Sequence, residues 1–167
     1  MKLNIHQSSF VHENCAFGDV PITIEEGVYV GPFCSIGLPP EWKGRENDNK
    51  GVIIKKGTRI TGHVTIDGGA NSQTVIGENC YIMKHAHVGH DAQIGDNVTL
   101  SCGVKIGGHT IIGNGTNIGL NAVIHQKLTI PEGCMIGASS FVGKKSILQP
   151  NYKYAGVPVK ELSPNVH

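Results

Sequence analysis

The sequence lacks most features that would announce a function by themselves. Neither sign of charge dominates, because 14 Lys and Arg stand against 13 Asp and Glu for a formal net charge of +1. So even a balance gives no reason to expect nucleic acid or an anionic membrane as partner, and a small-molecule ligand fits better. No stretch approaches the ~18 consecutive apolar residues of a membrane span. The start, MKLNIHQSSF, has no basic region followed by an apolar run, so neither a signal peptide nor membrane insertion is expected, and the location expected is cytoplasmic. The five cysteines contain no CxxC pair, which removes the commonest argument for a bound metal. Helical periodicity is also missing from the middle of the chain, where apolar residues recur neither at i, i+3, i+4, i+7 nor by alternation.

What is there instead is a period of six. Ile76, Ile82, Val88, Ile94, Leu100, Ile106, Ile112, Ile118, Ile124, Ile130, Ile136 and Val142 return without a break. Such self-similarity marks a solenoid, and a hexapeptide period marks a parallel β-helix. The residue after the aliphatic is often Gly, as in Gly77, Gly89, Gly95 and Gly107, and the fourth is small or β-branched, as in Ala86, Ala92, Val98 and Val104. One large and one small residue per hexad thus point inward. Cys15, Cys34, Cys80 and Cys134 occupy the small slot, which makes them core filler. Gly is 23 of 167 residues, as repeated tight corners require.

The N-terminal third carries a looser form of the repeat. Ile5, Val11 and Phe17 are six apart, one residue is inserted, and Ile24, Val30 and Ile36 resume. Residues 38–51, LPPEWKGRENDNKG, break the period with two prolines, the single Trp and six charges; residues 67–75, DGGANSQTV, break it again. Both are expected as surface loops, and a long loop on a rigid scaffold is a common carrier of function. Residues 1–148 are expected as the helix domain. Residues 149–167 are expected as a tail in which Val159 to Leu162 caps the open end, since a solenoid must protect its last coil.

Histidine is over-supplied, with nine in the chain. If eighteen residues close one coil, Val88, Ile106 and Ile124 stack on one face, and His87, His90, His109 and His125 line that face over three coils ~4.8 Å apart. His63 and His85 fall on other faces and are expected to be structural.

The repeat resembles the left-handed β-helix of the hexapeptide-repeat transferases. Within that group the run KHAHVGHDAQIGDN, then GVKIGGHTIIG and IGLNAVIHQ, resembles the UDP-N-acetylglucosamine O-acyltransferase family, through the motif Ala86-His87-Val88-Gly89-His90-Asp91. The resemblance implies that His90 is the general base, that Asp91 orients it, and that the backbone N–H of Gly108 forms an oxyanion hole. It places His87, His109, His125 and Gln126 in the substrate groove, with Glu41 and Lys43 contacting the acceptor sugar. It also implies a homotrimer with sites between subunits. The chemistry is coherent: a sugar hydroxyl is a poor nucleophile, and an imidazole of ordinary pKa near 6.5 can take its proton as it attacks a thioester.

That family continues into a C-terminal helical domain, whereas this sequence ends at His167. Tyr154-Ala155-Gly156-Val157-Pro158-Val159-Lys160 resembles the close of coenzyme-A-dependent sugar acetyltransferases and implies donor contacts at Gly156 and Lys160. The favoured reading is therefore transfer of an acetyl group from acetyl-CoA to a hydroxyl or amino group of a sugar or nucleotide sugar, in surface polysaccharide or lipopolysaccharide synthesis, with no metal. An acyl-ACP donor, a zinc enzyme like the γ-class carbonic anhydrases, and a non-catalytic scaffold are the alternatives. The zinc reading is disfavoured by spacing, since the close group of histidines comes first here and His125 follows His90 by 35 residues.

Overall fold

The computed structural model describes residues 2–166. The hexads form a left-handed parallel β-helix with three faces and no helical segment among the described residues. Each coil contributes one short strand per face, and from the second coil to Tyr152–Gly156 each strand pairs in parallel with the one a coil earlier. On the third face, for example, Val88 pairs with Ile66 and Ile106, and Ile106 with Ile124. The register follows from the pattern, because a slip of one residue would turn each aliphatic outward. From Ile24 to Val142 the aliphatics that recur every six residues are 0–2 % exposed and make one continuous core, with Leu128 and Leu148 partly buried against it. Each such side chain contributes roughly 1.5–3 kcal/mol by leaving water. Cys34, Cys80 and Cys134 are buried in this core, and Cys15, in the first coil, is half-buried.

Corners between faces are made by residues at positive φ. One corner uses Phe33, His63, His85, Asn121 and Ser139; another uses Asp91, His109 and Lys127 at φ 59°, 57° and 60°. The left-handed region costs a non-glycine residue roughly 1–2 kcal/mol, and Asp and His tolerate it better than most. His63 and His85 do lie away from the other histidines, tilted over each other at 5.1 Å between ring centroids.

Both interruptions are loops, with narrower limits than the sequence suggests. Leu38 belongs to the strand Ser35–Leu38, Asp67 to Thr65–Asp67, and Thr74 and Val75 to Thr74–Ile76. The C-terminal segment is more than a cap. Tyr152–Gly156 continues the second face in parallel with Met135–Ile136, and Val159–Pro164 folds back antiparallel as the outer strand. Tyr154 seals the end at 2 % exposure, its hydroxyl accepting the Gln149 N–H at 2.6 Å. No helix among the described residues is long and apolar enough to cross a membrane.

Candidate active site

Asp91 begins the site. Its side chain is 2 % exposed, and three successive backbone N–H groups of the 68–73 loop converge on it. Ala70 donates to Oδ2 at 2.9 Å, and Asn71 and Ser72 each donate to Oδ1 at 2.7 Å. Gly69 permits this wrap, since a Cβ there would lie 1.6 Å from the Ser72 carbonyl oxygen. Burial alone would raise the Asp91 pKa, but the hydrogen bonds from Ser72, His90, Ala70 and Asn71 outweigh it and lower it to about 2. The Gly-rich loop is thus an anion nest for one carboxylate.

An ionised carboxylate only accepts, which fixes the neighbouring imidazole. His90 Nδ1 lies 2.8 Å from Asp91 Oδ2, so Nδ1 carries a proton, and in the neutral imidazole the lone pair is on Nε2. On the Nε2 side is Gly108, where a Cβ would come within 2.6 Å of that nitrogen. Gly107 N–H is committed to Ile124 and His109 N–H to His90, whereas no hydrogen bond from Gly108 N–H is found among the described residues. A free donor therefore sits beside a free base.

The 39–51 loop closes over this pair. Trp42 stacks on His90 at 5.3 Å and 28°, and meets His109 edge-on at 5.4 Å. Arg45 holds the Trp42 ring at 4.8 Å, bonds Asn71 of the other loop at 3.0 Å and pairs with Asp48. The result is a cavity of about 270 Å³ lined by Glu41, Trp42, Lys43, His90, His109, Gln126 and Lys127. Burial lowers the His109 pKa, helped by His90, Lys127 and Arg45 and opposed by Asp91, so it stays neutral at neutral pH. Its Nε2 is buried without a hydrogen bond, 3.7 Å from Asp91 Oδ2.

Of the residues expected from sequence, His90, Asp91, Gly108, His109, Gln126, Glu41 and Lys43 are brought together. His87 lies on the same face but lines an adjoining pocket, with Nδ1 2.7 Å from Thr65 Oγ1. His125 turns Nδ1 to the Gln126 carbonyl at 3.0 Å and does not line the His90 cavity. Gly156 and Lys160 lie on the C-terminal hairpin, apart from that cavity; Gly156 N–H donates to Ser140 Oγ at 3.0 Å. An apolar pocket of about 330 Å³ opens beside them between Phe141 and Val157–Val159. Trp42 lies between Glu41 and Lys43 in the segment that the resemblance set against the acceptor sugar, whereas Arg45, Asp67 and Lys127 were missed. Lys127 had a signal, because it follows Ile124 by three as Asp91 follows Val88 and His109 follows Ile106.

His90, Asp91 and His109 place three ligating atoms within 4.8 Å of one another. They fit a metal poorly, since both Asp91 oxygens already accept N–H donors and Oδ2 holds the His90 proton.

Residues 73–108 match the family profile described as bacterial transferase hexapeptide (six repeats). The chain resembles the hexapeptide-repeat acyltransferases. An acyl-[acyl-carrier-protein]–UDP-N-acetylglucosamine O-acyltransferase of Campylobacter concisus is 29% identical over 153 residues, 82% of this chain and 58% of that protein. The enzyme of the same name from Paraburkholderia phymatum is 37% identical over 115 residues, covering 66% and 44%. Among solved structures, the UDP-N-acetylglucosamine acyltransferase of Campylobacter jejuni superposes with a TM-score of 0.76 at 25% identity, over 97% of this chain and 75% of that one. This hexapeptide chain spans about half the length of the curated relatives it matches.

Proposed function

We propose that the protein is an acyltransferase that moves an acyl group from a thioester, most simply acetyl-CoA, to a hydroxyl or amino group of a sugar or nucleotide sugar. The observation that carries this reading is the His90–Asp91 pair, which leaves His90 Nε2 free of protein partners in a cavity beside the unengaged Gly108 N–H. The acceptor gives its proton to His90 Nε2 as its oxygen or nitrogen bonds to the thioester carbonyl carbon. The carbonyl oxygen becomes an oxyanion, and the Gly108 N–H donates to it, an interaction worth ~3–4 kcal/mol in comparable sites. Asp91 stabilises the imidazolium without taking its proton. Collapse of the intermediate expels the thiolate, which recovers the proton from His90. Lys43 and Lys127 supply cationic contacts for phosphates of the acceptor or donor, while Glu41, Trp42, His109 and Gln126 shape the groove.

The donor side draws on His125, Gly156 and Lys160 together with the apolar pocket beside the hairpin. A cavity open on one side suits a site completed by a neighbouring subunit, and the proposed assembly is a homotrimer in the cytoplasm, where acyl-CoA is made. The names of the relatives favour a second donor, an acyl chain on acyl carrier protein. The test is incubation with acetyl-CoA, and separately with acyl-ACP, against a panel of nucleotide sugars, with thiol release and product mass as readouts. Acceptor-dependent release establishes the reaction, and the donor that supports it identifies the thiol carrier. Absence of release with every pair, in protein that melts cooperatively as a trimer, would overturn the reading.

A further inference from the structure

Beside the His90 cavity, and sharing Glu41 with it, lies a second pocket of about 400 Å³ between the 39–51 loop and the third face. Its polar walls are Glu41, Glu46, Asp67, His87, Thr65 and Ser35, with no Lys or Arg among the lining residues. Asp67 is 7 % exposed. The Glu41 backbone N–H donates to its carboxylate, yet Oδ2 is buried with no hydrogen-bond partner. His87 Nε2 is 3.8 Å from it, too far for a hydrogen bond. A buried carboxylate oxygen left unpaired costs about 1–3 kcal/mol or more, so its persistence needs a reason.

Among the neighbouring charges His90 favours the ionised form of Asp67 and Glu41 opposes it. Burial and Lys105 push the His87 pKa down, so that ring is no counter-ion at neutral pH. Lys105 itself gives its ammonium to the carbonyls of His85 and Gly103, at 2.6 and 3.0 Å. Glu46 is held ionised by the Gly44 N–H at 2.9 Å. The pocket therefore presents excess negative charge and one unfilled acceptor atom.

We propose that this pocket is a subsite for a protonated amino group on the acceptor sugar, with Asp67 Oδ2 as its hydrogen-bond acceptor. An ammonium satisfies both the charge and the unfilled lone pairs, whereas a hydroxyl satisfies only the second. A metal ion is the poorer occupant: among the described residues only His90, Asp91 and His109 bring three ligating atoms within 4.8 Å, so Glu41, Glu46 and Asp67 do not converge on a point. A sugar ring, by contrast, reaches separated groups. Asp67 thereby becomes a specificity-determining residue that selects acceptors bearing a free amine, and only the word acceptor rests on the acyltransferase reading.

The test is equilibrium binding at neutral pH of methyl β-D-glucosaminide, its N-acetyl derivative and methyl β-D-glucoside, using the intact protein and the variants Asp67→Asn and Glu46→Gln. The glucosaminide should bind at least tenfold more tightly than the other two. Asp67→Asn should erase that ratio, and Glu46→Gln, on the exposed rim, should reduce it about threefold. Equal binding of the three glycosides, no binding of the glucosaminide, or an unchanged ratio in both variants would overturn the proposal. Acyl transfer measured on the same preparations separates the two readings: transfer without amine preference removes only the subsite, and amine preference without transfer removes only the reaction.

Discussion

Replacing Asp91 by Asn tests both the packing and the chemistry of the site. The carboxylate receives N–H groups on each oxygen, Asn71 and Ser72 on Oδ1 and Ala70 and His90 on Oδ2. An amide can accept on one side only, so its NH2 must face two donors on the other. The lowering of the pKa from 3.8 to about 2 corresponds to about 2.4 kcal/mol of preference for the charged form, at 1.36 kcal/mol per unit. For a chain this long, that predicts a fall in Tm of roughly 5–10 °C at neutral pH. The sign with pH follows from linkage: a depressed folded pKa gives stability that is present above about 4 and is lost as pH falls toward 2. The Tm gap between wild type and variant should therefore narrow below pH 4. The variant should also lose kcat by about 10³–10⁴, because the amide no longer holds the proton on His90 Nδ1. Melting curves from pH 3 to 8 and steady-state transfer rates measure both. A variant that keeps a tenth of the wild-type kcat, or a Tm gap that widens in acid, would refute the reasoning.

Gly108→Ala should leave the fold intact, since Gly108 is outside the positive-φ set, yet put a methyl 2.6 Å from His90 Nε2. A fall in kcat of about a hundredfold or more, with Tm within a few degrees of wild type, is expected from kinetics and calorimetry, because the methyl displaces the imidazole that acts as general base while the backbone N–H stays. Trp42→Ala removes the ring stacked on His90, and at about 0.5–1.5 kcal/mol for such a pair it should lower kcat/KM some 3- to 10-fold. Asp67→Asn should behave oppositely to Asp91→Asn. Burial raises the Asp67 pKa to about 6, with Glu41 adding to the shift and the Glu41 N–H and His90 opposing it, so between about pH 4 and 6 the native state holds a proton that the unfolded state has lost, and at neutral pH the carboxylate is ionised at a cost. Ionising Asp67 costs up to about 3 kcal/mol above pH 6 and nothing below about pH 4. The variant should melt several degrees higher than wild type at pH 8 and no higher at pH 4.

The repeat was legible because a solenoid is built from local spacing: each inward aliphatic meets its counterpart eighteen residues on, and few long-range decisions intervene. For the same reason the histidines of the third face could be aligned from Val88, Ile106 and Ile124 alone. What the spacing could not show was how the insertions fold. That Ala70, Asn71 and Ser72 turn their N–H groups onto Asp91, and that Arg45 ties Trp42 over His90, are contacts between two irregular segments with no period to place them. Asp67 was assigned to a loop when it is the last residue of a strand, in the slot after Ile66 that Gly89, Gly107 and His125 fill in later coils. Tyr154 still follows Ile136 by eighteen, but the antiparallel return of Val159–Pro164 has no period to announce it, which hid the placement of Gly156 and Lys160.

The central claim is that His90, held by Asp91, removes the acceptor proton. The most direct measurement is single-turnover transfer from acetyl-CoA or acyl-ACP to a nucleotide sugar by wild type and His90→Ala, at matched protein concentration and with melting curves alongside. The account predicts acceptor-dependent thiol release in the wild type and a loss of about 10²–10⁴ in rate for the variant with Tm preserved, as expected for a general base. Equal rates in the two proteins would contradict it.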